Sequence, residues 1–221
     1  MNKNIINLQF VVPKVGGWLQ AKLNDESIQR LWQYIENGGE NSRSRLAGNI
    51  TSSFAIQDID DWFFRNVLED LVLSYEANFG PVLKTINYNP CPFMLADFWA
   101  NKSKSTEFNP LHDHAGLYSF VIWMNIPTNW KDQYELPHVK GTNYPCASDF
   151  TFVYHNMLGK TCTYRYHLDA SSNGTILLFP AQGMGHMVYP FYETEDERVT
   201  ISGNIFYDTR NARMLPSIKV H

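Results

Sequence analysis

Apolar residues recur along this chain in two rhythms, and the rhythm changes near residue 90. In the first part, Ile28, Leu31, Trp32 and Ile35 fall at the i, i+3, i+4, i+7 spacing of one helical face. Asp25-Glu26-Ser27 opens that helix and Gly38-Gly39 stops it. A longer helix is predicted from about Asp58 to Asn78, with Ile59, Trp62, Phe63, Val67, Leu71 and Tyr75 on one face and Leu68 and Val72 beside it. Gly80-Pro81 ends it, and its aromatic stripe reads as a core face packed on a sheet rather than a ligand box. Upstream, Ile5 to Val12 alternates with a strand-forming composition. Residues 40–57 are polar, a loop with room for one short strand.

From Phe93 onward the period is that of strands. Eight are predicted: Phe93–Ala100, Leu111–His114, Tyr118–Ile126, Phe150–His155, Thr161–His167, Thr175–Pro180, His186–Tyr192 and Val199–Tyr207. Short strands separated by Gly, Pro and Asn indicate a sandwich or jelly roll. The long gap, Thr128 to Asp149, is rich in Pro, Tyr and Asn; a loop of that length is usually functional, and it is expected to cover a pocket mouth. At 221 residues one domain is expected, with 1–90 as support (strand and helices) and 91–210 as a mainly β core.

Composition adds little to this except exclusions. Apolar residues make up 44% and charged ones 18%, as in an ordinary globular protein, and 14% aromatics suit strands and ligand pockets. A net charge of −4 gives no electrostatic case for nucleic acid. Cys91, Cys146 and Cys162 are odd in number and lack C-x-x-C spacing, so they read as reduced and structural. No apolar run reaches the length of a membrane span, and Met1-Asn2-Lys3-Asn4 is not followed by a signal-peptide core, so cytoplasm is the expected compartment (a host cytoplasm if the chain is phage-encoded).

Chemistry enters at Asn109-Pro110-Leu111-His112-Asp113-His114-Ala115-Gly116. Strand alternation puts His112 and His114 on one face and Asp113 on the other, so the two imidazoles can clamp a divalent metal. Far downstream, the buried strand ending at Pro180 leads into Gly183-Met184-Gly185-His186, whose glycines permit close backbone approach. Twelve residues further, Arg198 opens Arg198-Val199-Thr200. A guanidinium in an otherwise apolar strand is costly unless paired, either with an anionic ligand or with Glu195 or Glu197 nearby. The remaining histidines, His138, His155, His167 and His221, read as structural or solvated, while Arg165 is expected to reach toward a substrate mouth and Trp123 to line a pocket or pack.

This order and spacing resemble the iron(II)/2-oxoglutarate-dependent oxygenases, with their H-x-D…H ligands and downstream Arg-x-Ser, over about residues 94–208. His114 stands where the family usually has Asp, as in some microbial and phage members with H-x-H. The resemblance implies a double-stranded β-helix (jelly roll, cupin-like) with N-terminal helices buttressing one face. It implies His112, His114 and His186 as both catalytic centre and metal ligands, and Arg198 and Thr200 as the binding site for the distal carboxylate of 2-oxoglutarate. It further implies Fe(II) and 2-oxoglutarate as cofactors, with ascorbate as an optional addition. O₂ and an unidentified substrate that becomes hydroxylated complete the set. Two other functions fit the residues: a three-histidine cupin-type dioxygenase without 2-oxoglutarate, in which Arg198 would have no task, and a non-catalytic jelly-roll binding module.

Overall fold

The computed structural model describes residues 16–39, 47–82 and 91–211, so the strand expected over Ile5–Val12 and the terminal His221 lie outside the described residues. A strand not foreseen, β1 (Leu19–Lys22), precedes helix α1 (Asp25–Glu36), which begins and ends where its apolar spacing and glycine stop place it. Asn24 caps α1 by accepting a hydrogen bond from Ser27 N–H at 2.9 Å, and Asp25 and Glu26 favour the positive end of its dipole. Strand β2 (Ser52–Ala55) occupies the polar loop.

The long predicted helix is broken at its start. A 3₁₀ turn (Ile59–Asp61) and a π-helical turn (Phe64–Leu68) precede α2 (Glu69–Phe79). Asp60 and Asp61 both adopt positive φ (59° and 53°), which no α-helix contains. The Asp58 carboxylate takes the N–H groups of Phe63 and Phe64 at 2.7 and 2.8 Å, so the helical run is capped there instead. Ile59 is therefore half exposed, while Phe63, Leu68, Val72 and Tyr75 are buried as expected.

The remaining elements are β3 (Phe93–Ser103), β4 (Asn109–His112), β5 (Tyr118–Asn125), a short helix α3 (Trp130–Tyr134), β6 (Phe150–His155), β7 (Thr161–Tyr166), β8 (Thr175–Pro180), β9 (Gly185–Val188) and β10 (Arg198–Tyr207). They form two antiparallel sheets, one in the order β1-β8-β5-β10-β3-β2 and the other β4-β9-β6-β7. Strands β3 to β10 thus make the double-stranded β-helix, and β1 and β2 extend the edges of its larger sheet. Pro110, which cannot donate to a ladder, sits in β4 at an edge.

Alternation sorts the larger sheet's side chains. Phe98, Ala100, Phe120, Ile122, Ile176, Leu178, Ile201 and Ile205 pack on Leu31, Ile35, Phe63, Leu68 and Val72, so the helices buttress one face as the resemblance implied. Val121, Trp123, Leu177 and Phe179 point the other way, into an inner layer with Phe150, Phe152 and Met184 from the smaller sheet side. No described helix is long and apolar enough to cross a membrane.

Candidate metal centre

Strand pairing brings the histidines together. The β4–β9 register places His112 directly across from His186. His114 lies just past the end of β4, not within it as expected, because the chain turns there toward Gly116 (φ 107°); its N–H is held instead by Ala181 O at 3.0 Å. The potential ligand atoms of His112, His114 and His186 all lie within 4.8 Å of one another, and the Nε2 atoms of His114 and His186 are 3.3 Å apart. Asp113 is exposed and stands outside this group.

Two of the three rings are oriented from behind. His112 Nδ1 is 2.7 Å from Pro110 O, and His186 Nδ1 is 3.4 Å from Met184 O. A neutral imidazole that donates from Nδ1 keeps the Nε2 lone pair free, the arrangement metal-binding histidines use. His186 also stacks on Phe150 (centroids 5.4 Å, 25°) and meets the edge of Phe179 at 5.1 Å. Burial lowers the pKa of all three: His112 below its usual 6.5, His114 to about 4, and His186 well below the normal range. Near neutral pH three uncharged nitrogens face one point, a donor set that suits a first-row divalent metal.

Arg198 opens the central strand β10 at the opposite end of the same cavity. It is 2% exposed, not a surface residue paired with Glu195 or Glu197. Its Nη1 donates to Tyr189 O (3.1 Å), its Nη2 to Ser148 O (3.3 Å) and Ser148 Oγ (3.0 Å), and Phe191 lies flat beneath it, 4.6 Å from Cζ. Nε has no hydrogen-bond partner among the described residues. Burial pulls the guanidinium pKa down to about 9, with Asp149 as the nearest opposing charge. A buried cation with no carboxylate in hydrogen-bond contact among the described residues, and with its Nε–H and one Nη1–H unspent, fits a site made for a carboxylate.

The cavity joining these groups has a volume of about 640 Å³. Thr200, Ser202 and Asn204 follow Arg198 along its floor at every second residue, and Trp123 lines it too. Register sets Thr200 between Asn101 of β3 and Trp123 of β5. Asn204, given no role by its sequence context, receives the Ser119 hydroxyl at 2.7 Å and donates to Asp97 at 3.0 Å, so it orients a carboxylate in the cavity wall. Asp97, Trp99, Asn101 and Ser103 were not foreseen as lining residues, although a polar stripe at period two in a buried strand is the signal that could have found them.

Two expectations fail here. Among the residues lining the cavity, none comes from the 128–149 segment. That segment packs on the outer face of the smaller sheet, where Asp149, fully buried, meets Tyr134 Oη (2.5 Å), His167 Nδ1 (3.2 Å) and Arg165 Nε (3.6 Å). Arg165 consequently does not reach a substrate mouth; it alternates away from Tyr164 and Tyr166 and lies over Tyr144, 3.8 Å from the ring. A buried carboxylate needs its counter-ion close, and that requirement draws both the loop and Arg165 to the outside of the sheet.

A family model for 2OG-Fe(II) oxygenases matches residues 97–204, which spans every residue of the cavity named above. No curated protein matches the chain in sequence. Solved structures resemble it in fold. A prolyl hydroxylase from Trichoplax adhaerens, in complex with a hypoxia-inducible-factor peptide, is 14% identical, covers 87% of this chain and 83% of its own, and gives a TM-score of 0.51. HygX from Streptomyces hygroscopicus, with nickel, 2-oxoglutarate and hygromycin B bound, is 12% identical with coverages of 87% and 84% and a TM-score of 0.51. SnoK, a non-heme α-ketoglutarate-dependent carbocyclase from nogalamycin biosynthesis, is 7% identical with coverages of 88% and 80% and a TM-score of 0.51.

Proposed function

Over residues 97–204 this chain belongs to the 2OG-Fe(II) oxygenases, and on that premise we propose that it couples the oxidative decarboxylation of 2-oxoglutarate to hydroxylation of an organic substrate. In balance, 2-oxoglutarate, O₂ and R–H give succinate, CO₂ and R–OH. His112, His114 and His186 would hold Fe(II) through their Nε2 atoms. Bound iron(II) supplies the O₂-activating chemistry, as the family's cofactor does.

The rest is the work of this chain's own side chains. Arg198 binds the distal carboxylate of 2-oxoglutarate, and the Thr200 hydroxyl, on the same face of β10, supplies a second contact. Trp123 and Phe150 wall the space between that carboxylate and the histidines, which keeps bulk water from it. The single observation that carries this reading is Arg198: a buried guanidinium with an unpartnered Nε in the same cavity as three converging imidazoles. A three-histidine dioxygenase that chelates its substrate directly has no use for it.

Incubating the protein with Fe(II), O₂ and 2-oxoglutarate should yield metal-dependent succinate. Adding pools of peptides, amino acids and nucleosides should raise that yield for one class, with product gaining one oxygen atom. Absence of succinate under every condition would overturn the reading. A substrate-stimulated product without added oxygen would keep the 2-oxoglutarate chemistry and replace hydroxylation by another outcome.

A further inference from the structure

Ser148 is completely buried yet holds a backbone conformation that serine rarely adopts, with φ at 71°. For a residue with a Cβ the left-handed region costs on the order of 1 kcal/mol, whereas glycine enters it freely. The backbone there is fixed by the Ser148 N–H, which donates to Pro190 O at 2.8 Å. A glycine would serve that turn better, so the side chain must have a task of its own.

Its contacts state the task. Ser148 Oγ accepts from Arg198 Nη2 at 3.0 Å, and the Ser148 carbonyl accepts from the same nitrogen at 3.3 Å. The same Oγ is 3.0 Å from Thr128 Oγ1. Thr128 and Ser148 stand near the two ends of the long segment that packs on the outer face of the smaller sheet, so one hydroxyl pair fastens both ends against the guanidinium. Tyr189 O holds Nη1 from the other side at 3.1 Å, and Phe191 supports the plane from below. With Nη1 and Nη2 anchored, the guanidinium cannot rotate to satisfy Nε internally.

We infer that Ser148 is a positioning residue: it sets the Arg198 guanidinium for the distal carboxylate of 2-oxoglutarate, and the 128–149 segment serves to present it. This rests on the proposed function. It assigns the segment a place behind the cosubstrate end of the cavity, not over its mouth.

Two variants separate strain from hydroxyl. Ser148→Gly relieves the positive φ and removes Oγ; Ser148→Ala keeps the strain and removes Oγ. 2-Oxoglutarate is titrated calorimetrically into the full chain loaded with Mn(II), and the metal-free proteins are melted in parallel. Both variants should bind 2-oxoglutarate about tenfold more weakly than wild type, the ~1.4 kcal/mol expected of one hydrogen bond to a charged group. Ser148→Gly should nevertheless melt above Ser148→Ala, because only it is free of the strain. Wild-type affinity in either variant overturns the inference. So does affinity that tracks melting temperature across the three proteins, since a packing role alone would do that. If Mn(II)-loaded wild type binds no 2-oxoglutarate, the oxygenase reading itself falls, and the inference with it.

Discussion

At the scale of single residues, the two ends of the cavity can be tested apart. Arg198→Leu removes the charge and the fork but keeps the stem's apolar packing. It should weaken 2-oxoglutarate binding about a hundredfold, roughly 2.7 kcal/mol, while Mn(II) affinity stays near the wild-type value. Arg198→Lys should recover part of the loss, because it restores the charge without the planar donors. Calorimetric titration of both ligands into the three proteins checks this, and equal 2-oxoglutarate affinity in wild type and the Leu variant would leave the three-histidine dioxygenase standing. The histidines make a pH prediction. Their folded pKa values lie below the ordinary 6.5, that of His114 at about 4, so the unfolded chain binds more protons between those limits. Stability of the metal-free protein should therefore be complete above about pH 6.5 and decline as pH falls toward 4. Melting curves across that range test the sign, and His186→Leu should flatten the decline.

At the scale of elements, β10 is the strand on which the site depends, since it is hydrogen-bonded on both sides and carries the cavity floor. Gly203 lies at its centre, where an added Cβ would stand 2.6 Å from Asp97 O and 2.7 Å from the Phe120 ring. Neither the backbone of β3 nor a ring buried under the helices can yield. Gly203→Ala should destabilise the fold by about 2 kcal/mol and lower Tm by roughly 4–8 °C in a chain of this size. The start of the second helical segment depends on Asp58, which accepts from two backbone N–H groups and from Tyr34 Oη at 3.1 Å, tying α1 to α2. Asp58→Ala should cost about 2 kcal/mol by thermal or urea melting, because two backbone N–H groups lose their acceptor together.

At the scale of the whole molecule, the cavity is shared between the two sheets: His112 and His186 come from the smaller one, Arg198 and Thr200 from the larger. A ligand touching both ends should stabilise the sandwich as a unit. Mn(II) at a hundred times its Kd should add about 2.7 kcal/mol, and 2-oxoglutarate at the same excess a similar further increment. In Arg198→Leu the first increment should persist and the second should vanish. Thermal melts with metal alone, with 2-oxoglutarate alone and with both distinguish a joint site from two unrelated ones. A second increment that survives in the Leu variant would show that the cosubstrate is held elsewhere.

Much of this was legible in the residues before any fold was known. The i, i+3, i+4 stripe and its Gly-Gly stop located α1, and eight runs of period-two apolar character located β3 to β10 to within a few residues, because local spacing and turn chemistry act over short stretches of chain. His112, His114, His186 and Arg198 were readable from their order and spacing along the chain, although His114 joins the group from a turn past the end of β4 and not by strand alternation. What the tertiary structure alone decided was everything set by partners distant in sequence. The β4–β9 register put His112 opposite His186; the Asp58 carboxylate and two positive-φ aspartates broke the second helix; the buried Asp149 drew the 128–149 segment and Arg165 to the outside of the smaller sheet. Ser148 and Asn204 acquire their roles only through Arg198 and Asp97, residues 50 and 107 positions away. Burial of polar groups must be balanced by hydrogen bonds wherever the fold brings a partner, and no local pattern in the chain records which partner that is.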